Sequence, residues 1–235
     1  MSNAGDQLFD VPSAPLAPVK GETAGYPVHR IFCVGRNYAA HAAEMGVEVD
    51  REAPFYFTKP ASAIVMTGAT VPYPPGTENY HYEMELVIAM GAPAFRVDVD
   101  EAAGAIYGYA TGFDMTRRDL QLAARAKQRP WDLGKAFEQS AIISEITRAA
   151  EFAQIGPQRI ALTVNDEMKQ DAHLSDLIWS VPEIVSHLSN FYHLVPGDLI
   201  YTGTPAGVGP VVAGDRLHGE IDGLAPVDLV IGPAE

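Results

Sequence analysis

Glu83 and Glu85 stand two residues apart in the apolar run Tyr82-Glu-Met-Glu-Leu-Val-Ile-Ala89. A strand's period of two places both carboxylates on one face. Like charges side by side in an apolar strand repel each other and resist desolvation unless a cation lies between them. Hard oxygen ligands of this kind suit Mg²⁺ or Mn²⁺. The alternative is an edge strand whose glutamates meet water or Arg and Lys side chains. Asp114 follows a second apolar run from Ile106 to Phe113, and is either the cap of the next helix or a third carboxylate ligand. Three carboxylates leave Mg²⁺ short of six ligands, and catalysis on a chelating substrate requires such open positions.

Other residues supply further chemistry. His41 and Glu44, at i and i+3 of a short helix, share a face. They form either a solvated pair or a dyad in which Glu44 orients the imidazole and His41 takes a proton from water. Arg118 and Gln121 repeat the i, i+3 spacing and can present a guanidinium and an amide to one ligand. Lys135 sits in the apolar stretch Trp131-Asp-Leu-Gly-Lys-Ala-Phe137, where a lysine either snorkels or meets an anion, such as a substrate or an oxyanion. Thr202-Gly-Thr204-Pro-Ala-Gly-Val-Gly209 lacks the lysine and spacing of a nucleotide-binding loop, but its backbone N–H groups and hydroxyls suit a carboxylate. Cys33, the one cysteine, reads as a buried strand thiol rather than a nucleophile.

The elements that position these groups alternate short strands with few helices. Strands are predicted at 30–34, 55–58, 63–66, 80–90, 106–113, 160–164, 167–170, 199–202, 215–221 and 226–231, with residues 135–142 extended. Helices are predicted at 38–45, 99–105 and 116–127, and from the capping box Ser180-Val-Pro-Glu183 to Tyr192. This is no regular βαβ series, so a β-rich α+β roll is expected rather than a Rossmann sheet or TIM barrel. Residues 1–27, with prolines at 12, 15, 18 and 27, read as an extended arm, and residues 28–235 as a single catalytic domain. A net charge of −14 argues against nucleic-acid and anionic-membrane partners. No apolar run is long enough to span a bilayer, no secretory signal is evident, and the cytoplasm is the expected compartment.

In their order and spacing, several segments resemble the fumarylacetoacetate hydrolase family over about residues 29–231. They are Gly35-Arg-Asn-Tyr-Ala-Ala-His41-Ala-Ala-Glu44, Phe57-Thr-Lys59-Pro, Glu83-Met-Glu85-Leu, Gly112-Phe-Asp114-Met-Thr-Arg-Arg118-Asp-Leu-Gln121, Pro130-Trp-Asp-Leu-Gly-Lys135 and Gly197-Asp-Leu-Ile-Tyr-Thr-Gly-Thr204-Pro. The resemblance implies a mixed β-sandwich roll that forms homodimers. It also implies Mg²⁺ or Mn²⁺ on Glu83, Glu85 and Asp114, and a lid helix bearing His41 and Glu44. Arg118, Gln121, Lys135 and Thr204 match positions that contact substrate, a small anionic oxo acid; Lys59 matches a motif without an assigned role. The pattern Phe55-Tyr-Phe-Thr-Lys-Pro with Pro72-Tyr-Pro-Pro-Gly-Thr is most similar to bacterial members that hydrolyse fumarylpyruvate to fumarate and pyruvate in gentisate breakdown. Other activities implied for the family are oxaloacetate decarboxylation and oxo-acid isomerisation, and a metal-bound oxo-acid sensor stands outside catalysis. Two departures bear on pocket shape: His81-Tyr82 replaces a common His-His, and His173 and Trp179 occupy a loop region where smaller or different residues are usual.

Overall fold

Alternating apolar runs separated by turn residues give strands that each need a covered face, and they find it by stacking two sheets. The computed structural model describes residues 8–10, 12–44, 46, 51, 53–152 and 154–234. Among these, a mixed eight-stranded sheet contains Phe55–Lys59, Arg30–Gly35, Asp198–Tyr201, Met84–Met90, Ile106–Asp114, Ala141–Ile143 and Ile64–Met66 in that spatial order, with Thr147–Arg148 paired to Ile106–Asp114. A five-stranded sheet runs Glu167–His173, Arg159–Val164, Arg216–Ile221, Val227–Ala234 and Ala69–Tyr73. The expected β-rich α+β roll is therefore the observed fold, with curled mixed sheets and short helices at the margins.

The central strand shows how the pleat divides the core. Met84, Leu86, Ile88 and Met90 point toward the five-stranded sheet and share a cluster with Ile160, Leu162, Leu217 and Leu229. Val87 and Ala89 point the other way, onto Ile31, Cys33, Leu199 and Tyr201. The described part of the N-terminal segment completes this second cluster with Ala17, Val19 and Tyr26. The Tyr26 hydroxyl shares its one proton between the carbonyls of Met90 and Asp198, at 2.7 and 3.0 Å, and accepts from the Gly197 N–H.

Several predicted elements shift. The single strand expected over 80–90 is two: Tyr80–Tyr82 pairs with Gly209–Val211 in a small sheet, and Met84–Met90 belongs to the large one. Glu83 is the crossing point between them. The stretch expected to be extended from Lys135 instead begins as a helical turn, Asp132–Lys135, and only Ala141–Ile143 is strand. The helix expected from Thr116 starts at Arg118, because Thr116–Arg117 pairs with Tyr80–His81. The Ser180 capping box forms as predicted, closing the Val181–Ser189 helix by hydrogen bonds with Glu183. Asn165 and Asp166 adopt φ of 52° and 66°, as a tight hairpin requires. Residues 1–7 of the expected arm and Met45, the expected end of the first helix, lie outside the described residues. No helix among the described residues is long and apolar enough to cross a membrane.

Candidate active site

Strand pairing brings the carboxylates together. Glu85 lies opposite Gly112 in the antiparallel ladder, and one step further the Asp114 N–H donates to the Glu83 carbonyl at 2.9 Å. Asp114 is thus the diagonal neighbour of Glu85 on the same face. It ends a strand and caps no helix; the next helix has Arg117 at its N-cap position, without a side-chain cap. Glu83, Glu85 and Asp114 are all buried, and one oxygen from each falls within 4.8 Å of the others.

Three buried cations answer this charge. Arg118 donates to Glu83 Oε1 at 2.5 Å, and Lys135 to Glu83 Oε2 and Asp114 Oδ2 at 2.7 Å each. The third Lys135 proton goes to Thr116 Oγ1. Lys59 stands 2.9 Å from Asp114 Oδ1, yet its three protons go elsewhere: to the carbonyls of Lys135 and Met115 and to Ser140 Oγ. An ammonium has three protons to give, so Asp114 Oδ1 receives charge but no hydrogen bond, and it is buried without a donor.

The carboxylates are not electrostatically equal. Burial pushes Glu83 up, but the adjacent Lys135 and Arg118 outweigh it and hold its carboxyl below the usual range. Burial pushes Glu85 well up, and the negative charges of Asp114 and Glu83 push the same way; the Gly203 N–H on its Oε2, at 2.8 Å, offsets this only in part. Burial pulls Lys135 down, but Asp114 and Glu83 outweigh it, so it stays firmly protonated. An orphaned acceptor on Asp114 and a carboxyl pushed toward protonation by its neighbours both fit a site for a hard divalent cation.

Four more predicted groups line one cavity with Glu83, Glu85 and Lys135: His41, Arg118, Gln121 and Thr204. His41 and Glu44 meet as expected, with Nδ1 3.2 Å from Oε2 on the Ala39–Glu44 helix. The Gly207 N–H donates to the same Glu44 carboxylate, tying helix to loop. The glycine-rich loop does bind carboxylates, and they are the protein's own. Gly203 adopts φ of 99°, and a Cβ there would lie 2.7 Å from the Asn37 Cβ, so glycine is required where the loop meets Glu85. Arg118 also donates to Gln121 Oε1, and its Nε lies 3.5 Å from His81 Nδ1; burial and the Arg118 charge pull His81 down to about 4.

Sequence reasoning left Lys59 without a role and missed Thr116, Ser140 and Gln170. Buried Gln170 accepts from the Met84 N–H and donates to Thr204 Oγ1 and the Pro205 carbonyl, clamping the loop to the central strand. Its only signal was a polar residue at an inward position of a strand. His81, His173 and Trp179, noted for their bearing on pocket shape, do not line the cavity. Cys33 is the expected buried thiol: burial pushes it well up, and Asp114 adds to this.

Comparison with known proteins places the chain in a family. The fumarylacetoacetate hydrolase C-terminal family model matches residues 30–231. A fumarylpyruvate hydrolase from Ralstonia is 56% identical over 193 residues, covering 81% of this chain and 100% of that protein. A human mitochondrial oxaloacetate tautomerase is 38% identical over 205 residues, covering 87% and 92% respectively. The crystal structure of fumarylpyruvate hydrolase from Pseudomonas aeruginosa, in complex with Mn²⁺ and pyruvate, superposes with a TM-score of 0.94 at 45% identity, covering 97% of this chain and 100% of that one. The chain belongs to the fumarylacetoacetate hydrolase family.

Proposed function

We propose that the chain is a divalent-cation-dependent hydrolase that cleaves the C3–C4 bond of an acylpyruvate, with fumarylpyruvate as its substrate. The observation that carries the reading is the convergence of Glu83, Glu85, His41, Arg118 and Lys135 on one cavity, with Asp114 completing the carboxylate cluster and Glu44 held against His41. The Ralstonia relative named for this activity, and the Pseudomonas structure holding Mn²⁺ and pyruvate, support it.

Glu83, Glu85 and Asp114 are the residues to hold Mg²⁺ or Mn²⁺, which when bound supplies Lewis-acid polarisation of a 2-oxo acid. Arg118, Gln121 and Thr204 offer donors to the substrate's oxygens from the cavity wall. His41, oriented by Glu44, takes a proton from a water that adds to the C4 carbonyl. Lys135 is the donor for the oxyanion that forms there, and one of its protons turns from the carboxylates to the substrate. As C3–C4 breaks, its electron pair goes to C3, the acyl side leaves as a carboxylic acid, and protonation at C3 completes pyruvate. With fumarylpyruvate the acid is fumarate. We take the working unit as a homodimer and the setting as gentisate-type aromatic breakdown, in line with the family resemblance.

Pyruvate release from fumarylpyruvate, coupled to lactate dehydrogenase, is expected with Mg²⁺ or Mn²⁺ and lost in EDTA. His41→Ala is expected to slow it by about 10²–10⁴-fold. No release with either ion overturns the reading. The 38% identical tautomerase favours a second reading, oxaloacetate keto–enol interconversion. That reaction consumes no water, and a kcat/KM for oxaloacetate far above that for fumarylpyruvate decides for it.

A further inference from the structure

The cavity at the carboxylates opens into a wider groove, and Arg36, Phe57, Arg125, Trp131 and Lys135 line both. Beyond this junction the groove is bordered by Phe55 and Arg129, and Asp132 is its only acidic lining residue among those described. A chain with a net charge of −14 thus turns three arginines and one aspartate toward the space next to its carboxylate cluster.

Arg36 is held there by its backbone. Its φ of 61° lies in the left-handed region that non-glycine residues seldom adopt. Asn37 secures the turn, donating to the carbonyls of Trp179 and Thr202 and accepting from the Trp179 N–H. Such local cost persists where surrounding structure over-determines it, and is concentrated at functional sites. The half-buried guanidinium lies 5.8 Å from the Phe55 ring and 6.0 Å from Trp131, and it pairs with no carboxylate among the described residues.

Arg125 approaches from the other side. It follows Arg118 and Gln121 at i+7 and i+4 on the Arg118–Ala126 helix, so this face runs from the carboxylates out to the groove. Burial lowers the pKa of Arg36, and the like charge of Arg125 lowers it further. The Arg36 guanidinium, in a partly desolvated groove and facing a like charge, is relieved by an anion, and Arg suits a carboxylate because its donors form a planar fork. Phe57 and Trp131, with ring centroids 6.0 Å apart, offer apolar walls between the two arginines and the carboxylate cluster.

We propose that Arg36 and Arg125 bind the far carboxylate of a dicarboxylic acylpyruvate whose acyl chain lies along Phe57 and Trp131. This assignment rests on the hydrolase reading and adds the class of acyl group that the site selects. The test compares fumarylpyruvate with acetylpyruvate, which lacks the far carboxylate, in the Mg²⁺- or Mn²⁺-loaded enzyme. The ratio of their kcat/KM values is independent of the fraction of enzyme that is folded, so a destabilised variant remains informative. In Arg36→Gln and in Arg125→Gln the preference for fumarylpyruvate is expected to fall about ten- to a hundredfold, as for a lost charge-assisted hydrogen bond. The loss is expected mainly in KM, with partial recovery in Arg36→Lys. An unchanged ratio in both glutamine variants, with wild type cleaving both substrates, overturns the arginine assignment and leaves the hydrolase reading intact. Failure of the wild-type enzyme to release pyruvate from either substrate sinks the hydrolase reading and this proposal with it.

Discussion

Lys59→Met removes one charge from the site while keeping the length of the side chain. The Lys59 ammonium is fully buried, 2.9 Å from Asp114 Oδ1, and donates to the carbonyls of Met115 and Lys135. Methionine fills the volume but leaves the Met115 carbonyl without its donor, the Lys135 carbonyl with only the longer contact from Ser140 Oγ, and Asp114 with Lys135 as its remaining ion-pair partner. Breaking a buried pair by removing one partner costs about 3–5 kcal/mol. Burial already pulls the Lys59 pKa down, so part of that cost is returned when the ammonium no longer needs desolvating, and the lower end applies. For a domain of this size each kcal/mol shifts Tm by roughly 2–4 °C, so a fall of roughly 6–12 °C is expected in EDTA. The site then carries one positive charge fewer, so added Mn²⁺ meets less repulsion and narrows the gap to wild type. Thermal melts by circular dichroism, with EDTA and with Mn²⁺, read both effects. A variant melting within about 2 °C of wild type in EDTA refutes the idea that Lys59 holds Asp114 and the Lys135 backbone in place.

Two further perturbations separate metal binding from surface electrostatics. Glu85→Gln keeps an acceptor for the Gly203 N–H and removes a charge that burial, Asp114 and Glu83 already disfavour. The metal-free variant is expected to melt no lower than wild type at pH 7, and to lose most of its stabilisation by Mn²⁺; an undiminished Mn²⁺ shift excludes Glu85 as a ligand. His218 lies between Asp228 and Glu220, at 2.7 and 3.1 Å, and its hydrogen bonds with them raise its pKa. A raised folded-state pKa gives stability that is fully present below the unfolded value of about 6.5 and is lost as pH rises through the folded one. His218→Gln should therefore lower Tm more at pH 5.5 than at pH 9, by a small, salt-sensitive amount, since the side chain is 43% exposed. Equal losses at both pH values contradict the ion-pair account.

What the sequence displayed was local. The period of two at Glu83 and Glu85, the i, i+3 spacings of His41–Glu44 and Arg118–Gln121, and the Ser180 capping box each lie within one short segment, where backbone geometry alone sets direction. What it concealed depends on contacts between distant segments. Lys59 meets Asp114 55 positions later, and Gln170 reaches Met84 across the two sheets. The helical turn at Asp132–Lys135 has the same origin. A Cβ on Gly134 would lie 2.9 Å from the Gln121 N atom, so this glycine permits close approach to the Arg118–Ala126 helix rather than marking a strand. That approach aims Lys135 at Glu83 and Asp114. No periodicity within residues 130–140 could announce it.

The charge pattern explains how so acidic a chain can hold an anion. Three buried carboxylates are matched by Lys59, Arg118 and Lys135, so the centre is near neutral before any metal binds, and positive after a divalent ion enters. Surface carboxylates more than about 8 Å away are largely screened at physiological ionic strength, whereas buried charges act nearly unscreened. The net charge of −14 therefore describes the surface seen from far off, and the local cations set the field inside the cavity. Lys135 connects the two conditions. With its three protons on Glu83, Asp114 and Thr116 it shares in balancing the carboxylates, and in the proposed reaction one of those protons turns to the substrate oxyanion.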